Sequence, residues 1–204
     1  MSDRLTGTVA LEGAGSRPIP FCGGRTDAAD GAASEWLEPK VTGEVTDSAA
    51  IFKEWIKTFG LTNQEMTVLI GGGHSLGQMH PDRSGFTGAW TATPTALSNE
   101  YFKNLFAERW EVYEVPSTGK RQYKAVNKEL YMLPTDLLFV TDAELASIAE
   151  DYASNNDLFL EEFAAAWQKV VNIDRYDGPT GNVCDNAAGL GGGEAGERGG
   201  GVEI

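Results

Sequence analysis

The sequence has 204 residues, of which 41% are hydrophobic, enough for one globular core with tails. Its formal net charge of −14 argues against binding to a nucleic-acid backbone, which needs clustered lysines and arginines, and favours solubility or a basic protein partner. No apolar run approaches the roughly 20 residues that a membrane-spanning helix needs. The composition therefore predicts a globular protein that neither binds nucleic acid nor spans a bilayer.

The N-terminal segment, residues 1–46, is rich in Gly, Ala, Pro, Ser and Asp. This composition predicts an extended, loop-like segment rather than a packed helix. Its start has neither the apolar core of a secretory signal nor the Arg-rich character of a transit peptide, so either no targeting signal is needed or one has been removed. Cys22 and Cys184 form no metal-binding or redox motif and indicate no compartment.

A helical domain is predicted over residues 47–173. Asp47 is a suitable N-cap for a first helix with an apolar stripe, which should end at Gly60. A capping box at residues 62–65 begins a second helix, which should run towards His74. The domain is thus expected to open with two consecutive helices.

Further helices are predicted near residues 98–110, with Pro134 in the first turn of a short helix, after a capping box at residues 141–144, and from Asn156. Alternating apolar and polar residues on both sides of the turn sequence at residues 116–119 predict a small β-hairpin. The domain is therefore expected to be mostly α-helical.

The C-terminal tail, residues 174–204, is low in complexity and contains two glycine triplets. Such a composition predicts a flexible segment. The sequence is thus divided into three parts: an extended segment over 1–46, a helical domain over 47–173 and a Gly-rich tail.

Three glycines, Gly71, Gly72 and Gly73, lie in the second helix directly before His74. Each costs about 1 kcal/mol relative to alanine in a helix interior, so their presence needs a reason. One interpretation is that they simply end the helix. The other is that a large flat molecule, or another backbone, approaches too closely for any side chain.

Two adjacent stretches, LIGGGHSLGQMH at 69–80 and PDRSGFTGAWT at 81–91, resemble class I heme peroxidases of the ascorbate and cytochrome c peroxidase kind. The similarity continues in order through residues 98–102, 132–136 and 152–159. With a weaker match at 20–27, it covers roughly residues 8–173. The resemblance implies a mainly α fold, namely the proximal helical domain of the heme-dependent peroxidase fold with a small β-hairpin.

The resemblance also implies a heme b site, in which His74 is the axial ligand of the iron. Asp136 would accept the other ring N–H of His74 and raise its basicity, and Trp90 would stack beside His74 and bond the same carboxylate. His80 resembles a residue that approaches a heme propionate, and Arg83 an arginine that binds ascorbate at the heme edge. From the residues alone, each of these side chains is more simply read as structural or solvated.

Some members of this family bind a monovalent cation in a loop near the axial histidine. The matching residues here are Ser75, Thr91, Thr93 and Ser98. Ser98 stands where a carboxylate would supply the charge, so we expect no tight metal site.

The sequence contains only two histidines, His74 and His80, and the resemblance gives both a proximal role. Cleavage of iron-bound peroxide needs a base and a cationic donor on the opposite, distal face of the heme. Class I members supply these with an arginine, an aromatic residue and a histidine on one N-terminal helix, a pattern that this sequence lacks. We therefore expect the chain alone to be a very poor peroxidase.

Three functions are compatible with this pattern. The first is a non-catalytic accessory subunit, a pseudoenzyme that binds protein partners in a larger assembly. The second is the heme-binding half of a split peroxidase, which reduces hydrogen peroxide with ascorbate or a cytochrome as donor. The third is a heme-binding or redox-sensing module. The resemblance suggests an organelle, either the chloroplast thylakoid or the mitochondrion, and a position peripheral to a membrane complex.

Overall fold

The computed structural model describes residues 2–20, 29–32, 43–44 and 48–172. In this part of the chain the helices are α1 (Ser2–Gly13), α2 (Ala49–Thr58), α3 (Asn63–Ser75), α4 (Glu100–Ala107), α5 (Leu138–Thr141), α6 (Ala143–Ser154) and α7 (Asn156–Val171). The strands are β1 (Trp110–Glu114), β2 (Arg121–Ala125) and β3 (Tyr131–Met132). The architecture is mainly α, as predicted, and none of these described helices is long and apolar enough to cross a membrane.

The N-terminal segment is not extended throughout. Ser2–Gly13 forms α1, so the prediction of an extended, loop-like segment is wrong there. Thr8 and Leu11 of this helix are buried, and a methyl group at Gly7 would lie 3.7 Å from the Trp167 ring of α7. The composition concealed the helix because packing against the rest of the fold, rather than local propensity, stabilises it.

Several predictions concern residues outside the described ranges. Asp47, both cysteines and the tail over 174–204 belong to this group. The division at residues 46 and 173 into three parts therefore stays a prediction.

Hydrogen-bonded caps fix the starts of α2 and α3. The Ser48 hydroxyl accepts a hydrogen bond from the backbone of Ile51 at 3.3 Å, so the N-cap of α2 is Ser48 and not the predicted Asp47. The predicted capping box of α3 is confirmed: Thr62 Oγ1 accepts from the Glu65 backbone at 3.1 Å, and the Glu65 carboxylate accepts from the Thr62 backbone at 2.8 Å. Each cap contributes about 1 kcal/mol and sets which face its helix turns inward.

The later helices begin near their predicted positions. Asp142 caps α6 by accepting from the Leu145 backbone at 3.2 Å, one residue after the predicted cap at Thr141. Asn155 caps α7. Pro134 lies in a turn ahead of α5 rather than in its first helical turn, which corrects that prediction.

Helix α3 contacts α2, α4, α6 and α7, and two of its three glycines permit this packing. A methyl group at Gly71 would lie 2.2 Å from the Phe102 ring, and one at Gly72 would lie 2.1 Å from the Phe163 ring. Both distances are far inside van der Waals contact. Gly71 and Gly72 are therefore required by helix packing, whereas a methyl group at Gly73 would meet nothing within 4 Å.

The predicted β-hairpin is confirmed. β1 and β2 pair antiparallel with Trp110 opposite Ala125, and the chain turns between them at residues 115–120. The two-residue strand β3 then pairs with β2, which the sequence did not predict because two residues are too few to show alternation. This strand leads directly into the turn that holds Asp136.

Candidate functional site

Asp136 is the centre of the candidate site, and its side chain is 1% exposed. A buried carboxylate needs hydrogen bonds in place of the water that it loses. Its Oδ1 accepts from the Tyr101 hydroxyl at 2.8 Å and from His74 Nδ1 at 3.0 Å. Its Oδ2 accepts from Trp90 Nε1 at 2.8 Å and from the Leu133 backbone at 2.6 Å. We term these five residues the Asp136 network.

The His74 ring is held on several sides. The Trp90 ring stacks on it with centroids 4.1 Å apart and planes within 8°, and the Tyr101 ring meets it edge-on at 5.5 Å. Because a carboxylate can only accept, Nδ1 carries the proton of the neutral imidazole, and Nε2 keeps its lone pair. The His74 side chain is 23% exposed. His74 therefore offers one nitrogen, in a fixed orientation, to a metal ion.

Tyr101 is a site residue that the sequence analysis missed, because it appears there only within the resembling segment 98–102. It is 0% exposed. Burial, and then the negative charge of Asp136, raise the pKa of Tyr101 well above its usual value, so its hydroxyl stays protonated and donates. The available signal was the hydroxyl itself, since a tyrosine buried in a core needs a partner for its O–H.

The chain leaves α3 and forms a loop over residues 79–88, which we term the rim loop. His80 and Arg83 are exposed on this loop, and Arg83 Nε lies 3.5 Å from the Asp82 carboxylate. Among the described residues, no hydrogen bond or ion pair joins His80 or Arg83 to the Asp136 network. The structure thus brings His74, Asp136 and Trp90 together, whereas the other two predicted residues are exposed and make no described bond to them.

The four residues of the predicted cation loop use their hydroxyl groups within the protein. Ser75 Oγ donates to a backbone carbonyl of α3 at 2.8 Å, and Thr91 Oγ1 donates to the Ser75 carbonyl at 3.2 Å. Thr93 Oγ1 donates to the Glu100 carboxylate at 2.5 Å, and Ser98 Oγ accepts from the Glu100 backbone at 3.3 Å. The absence of a tight metal site stays a prediction.

Glu100 is a second residue that the sequence analysis missed. Its carboxylate also accepts a hydrogen bond from the Ala92 backbone at 2.7 Å. Burial raises the pKa of Glu100, but the hydrogen bonds from Thr93 and from the Ala92 backbone outweigh burial, and the net pKa lies below its usual value. An ionised carboxylate of the protein therefore closes this loop, although Ser98 has none.

The residues present fit a heme iron bound at Nε2 of His74. The imidazole has a carboxylate partner on its other nitrogen, as ligand histidines generally do. The helix surface at Gly73, next to the ring, is open. The interpretation that a large flat molecule approaches all three glycines is wrong for Gly71 and Gly72, since Phe102 and Phe163 fill that space.

Several known proteins are similar to this chain in sequence. The family model described as "Peroxidase" matches residues 4–155. A protein of Pyricularia oryzae named "Putative heme-binding peroxidase" is 37% identical over 174 residues, which cover 83% of this chain and 57% of that protein. A protein of Cryptococcus neoformans with the same name is 35% identical over 180 residues, covering 85% of this chain and 53% of that protein.

A mitochondrial cytochrome c peroxidase of Yarrowia lipolytica is 35% identical over 170 residues, which cover 82% of this chain and 48% of that protein. The chain thus spans about half the length of the curated relatives that it matches. The family match covers most of the described helices and all of the Asp136 network. The chain belongs to the peroxidase family, with a sequence of the class I heme peroxidase type.

Proposed function

We propose that this chain provides the proximal, iron-ligating half of a class I heme peroxidase. The observation that supports the proposal is the Asp136 network, in which a buried carboxylate with four hydrogen-bond donors holds His74 with Nε2 free. A buried charge contributes little net stability, and apolar residues of similar volume often replace one without loss. A chain with no use for an oriented imidazole would gain nothing by keeping it.

Each residue of the Asp136 network has a separable role in this proposal. His74 would hold the iron through Nε2, and the hydrogen bond of its Nδ1 to Asp136 would make the imidazole a stronger electron donor. Trp90 fixes the ring plane by stacking. Tyr101 shares the negative charge of Asp136 and so limits its pull on His74. When bound, heme b would supply the redox-active iron at which hydrogen peroxide is reduced.

The distal groups would come from another polypeptide segment, either of a longer protein or of a partner chain. The two histidines of this sequence, His74 and His80, both have proximal positions in the proposal. Peroxide cleavage by acid–base catalysis therefore needs a base that this sequence does not supply. The electron donor would be ascorbate or a cytochrome, and the net charge of −14 favours a basic cytochrome.

A heme-free accessory subunit in a larger assembly is the second candidate. The same two histidines favour it, because a chain without a distal histidine should be a very poor peroxidase on its own. In this role the Asp136 network would serve only to connect α3, α4 and the turn after β3.

We also propose an organellar location for the protein. The support is that relatives from Yarrowia lipolytica and Pyricularia oryzae are named mitochondrial cytochrome c peroxidases. This favours the mitochondrion over the thylakoid. Fluorescence microscopy of the tagged full-length protein would test the location.

Hemin titration of the purified chain separates the two candidate functions. We expect a Soret band that saturates at one hemin per chain, disappears with His74→Ala, and returns on adding imidazole to that variant. His80→Ala is the matched control and should keep the band, with a several-fold lower affinity. Folded wild-type protein that binds no hemin, or that loses no binding with His74→Ala, would contradict the proposal and support the accessory role.

A further inference from the structure

The rim loop is anchored to the β-sheet as well as to α3. Its two ends pair with each other, since Met79 and Gly88 exchange backbone hydrogen bonds of 2.8 and 3.2 Å. At its tip, the Thr118 hydroxyl of the hairpin turn donates to the Gly85 carbonyl at 2.6 Å. The hairpin therefore contacts this loop.

Gln122 of β2 makes the most buried of these contacts. Its Nε2 donates to the Thr87 carbonyl at 2.8 Å, and its Oε1 accepts from the Thr87 backbone N–H at 2.8 Å. An amide side chain carries a donor and an acceptor side by side, so Gln122 pairs with Thr87 much as a backbone peptide group pairs in a sheet. The Gln122 side chain is 0% exposed, so its amide has no access to water in place of Thr87.

A second contact, made by Lys120, is more exposed. The Lys120 ammonium lies 4.8 Å from the Phe86 ring centroid and 2.5 Å from the Glu44 carboxylate. Its side chain is 36% exposed, and exposed ion pairs contribute little. Gln122 therefore determines the position of the loop more strongly than Lys120.

The same sheet is also connected to the turn that contains Asp136. β2 pairs with β3, and β3 runs into the turn where the Leu133 backbone donates to Asp136 at 2.6 Å. Gln122 thus lies on a strand that connects the Asp136 turn to the rim loop. A displacement of Thr87 relative to β2 would break the Gln122–Thr87 pair.

We propose that Gln122 is a positioning residue, which sets the rim loop and its side chains His80 and Arg83 relative to His74. The effect on His80 and Arg83 at the heme edge rests on the proposed function, whereas the anchoring of the loop does not. Gln122 touches neither the iron ligand nor the cofactor in this proposal and acts only through Thr87.

Hydrogen exchange of the heme-free chain tests the anchoring. Gln122→Met keeps the length of the side chain and removes both hydrogen bonds, and we expect the Thr87 and Gly88 amides to exchange at least about tenfold faster. Tyr152→Phe is the control for general destabilisation, because it removes a buried hydroxyl that donates to Glu162, away from the rim loop. Equal acceleration of these amides in both variants would overturn the anchoring.

Gln122→Glu adds a pH-dependent test. The protonated carboxyl group again offers one donor and one acceptor to Thr87, whereas the carboxylate faces the Thr87 carbonyl with no proton. Burial raises the pKa of the new carboxyl group. The protection of the Thr87 and Gly88 amides against hydrogen exchange should therefore be nearly normal at pH 5 and lost as the pH rises towards 8. Protection that is equally poor, or equally good, at both pH values would contradict the amide pairing.

A double-mutant cycle on hemin affinity tests the functional part. If Gln122 acts through His80, Gln122→Met and His80→Ala should each weaken hemin binding several-fold, and the double variant should be no weaker than the worse single variant. Additive effects would overturn the role of Gln122 as a positioning residue for His80. Wild-type protein that binds no hemin would refute the proposed function itself, while the exchange measurements would still decide the anchoring.

Discussion

His74 and Asp136 are joined by a hydrogen bond of 3.0 Å, and the partners on the far side of that carboxylate are groups that can only donate. Trp90 Nε1 and the Leu133 backbone N–H have no acceptor to offer. An amide has a single oxygen, so it can accept from Trp90 and Leu133 only if its NH₂ group faces His74. The pair therefore depends on charge and not only on shape.

The substitution Asp136→Asn should move the proton of His74. With its NH₂ group turned away from Trp90 and Leu133, the amide faces His74 Nδ1, which must then accept, so the ring proton moves to Nε2 and blocks iron binding. We expect hemin affinity to fall at least about tenfold and the free energy of unfolding to fall by about 1–3 kcal/mol.

Hemin titration and urea unfolding would measure these two effects. Asp82→Asn, on the exposed rim loop, is the matched control and should leave both quantities near wild type. Unchanged hemin affinity in Asp136→Asn would show that His74 is not the ligand or that its tautomer does not matter.

The protein should lose stability in alkaline solution because of Tyr101 and Tyr152. Burial raises the pKa of both side chains, and the neighbouring carboxylates of Asp136 and Glu162 raise it further. In the unfolded chain these hydroxyls ionise near pH 10. Their contribution is fully present below that pH and falls above it, by up to about 1.4 kcal/mol per pH unit for each tyrosine.

Urea unfolding at several pH values between 9 and 11.5 would measure this slope. Tyr152→Phe removes one of the two groups and should flatten the slope without a change in the Asp136 network. An unchanged slope in that variant would contradict the assignment to Tyr152.

The glycines of α3 should respond in opposite directions to alanine. Gly72→Ala places a methyl group against the Phe163 ring and should destabilise the chain by about 1–3 kcal/mol. Gly73→Ala meets no neighbour and should stabilise the heme-free chain by up to about 1 kcal/mol, because alanine is the better helix former.

Urea unfolding of both variants provides the comparison, and each serves as the control for the other. If heme approaches the helix at Gly73, Gly73→Ala should also weaken hemin binding. Equal destabilisation by both substitutions would contradict the difference in packing.

Added cations should leave the thermal stability unchanged. The Glu100 carboxylate already closes the loop of Thr91, Thr93 and Ser98 from within the protein. We expect millimolar K⁺ or Ca²⁺ not to raise Tm, and Glu100→Gln to lower the free energy of unfolding by about 1.5–3 kcal/mol, since hydrogen bonds to an ionised group are lost. A rise in Tm with K⁺ but not with Na⁺ would reveal a cation site.

The helices that the sequence predicts are those with a local signal. The capping box at Thr62 and Glu65 and the turn before β2 mark their elements without reference to the rest of the fold. Helix α1 has no such mark, because Gly7 and its polar neighbours favour other conformations. Only contacts with distant residues such as Trp167 stabilise it, and a local pattern cannot contain them.

The site could be predicted only where the family resemblance indicated that residues far apart in the sequence lie close together. His74 and Asp136 are 62 positions apart, and no periodicity indicates that they meet. A related reason explains why the sequence analysis did not identify Tyr101, Glu100 and Gln122. Each is a polar residue in an ordinary helix or strand position, and its importance follows from partners that only the folded chain brings near.

The donors that surround Asp136 all belong to this polypeptide, which has a consequence for ligand binding. The contacts of the folded chain alone fix the rotamer of His74. If His74 binds heme as proposed, the entropy of immobilising the imidazole is lost on folding and would not weaken heme binding. A ligand that binds at His74 would therefore meet an imidazole that is already oriented.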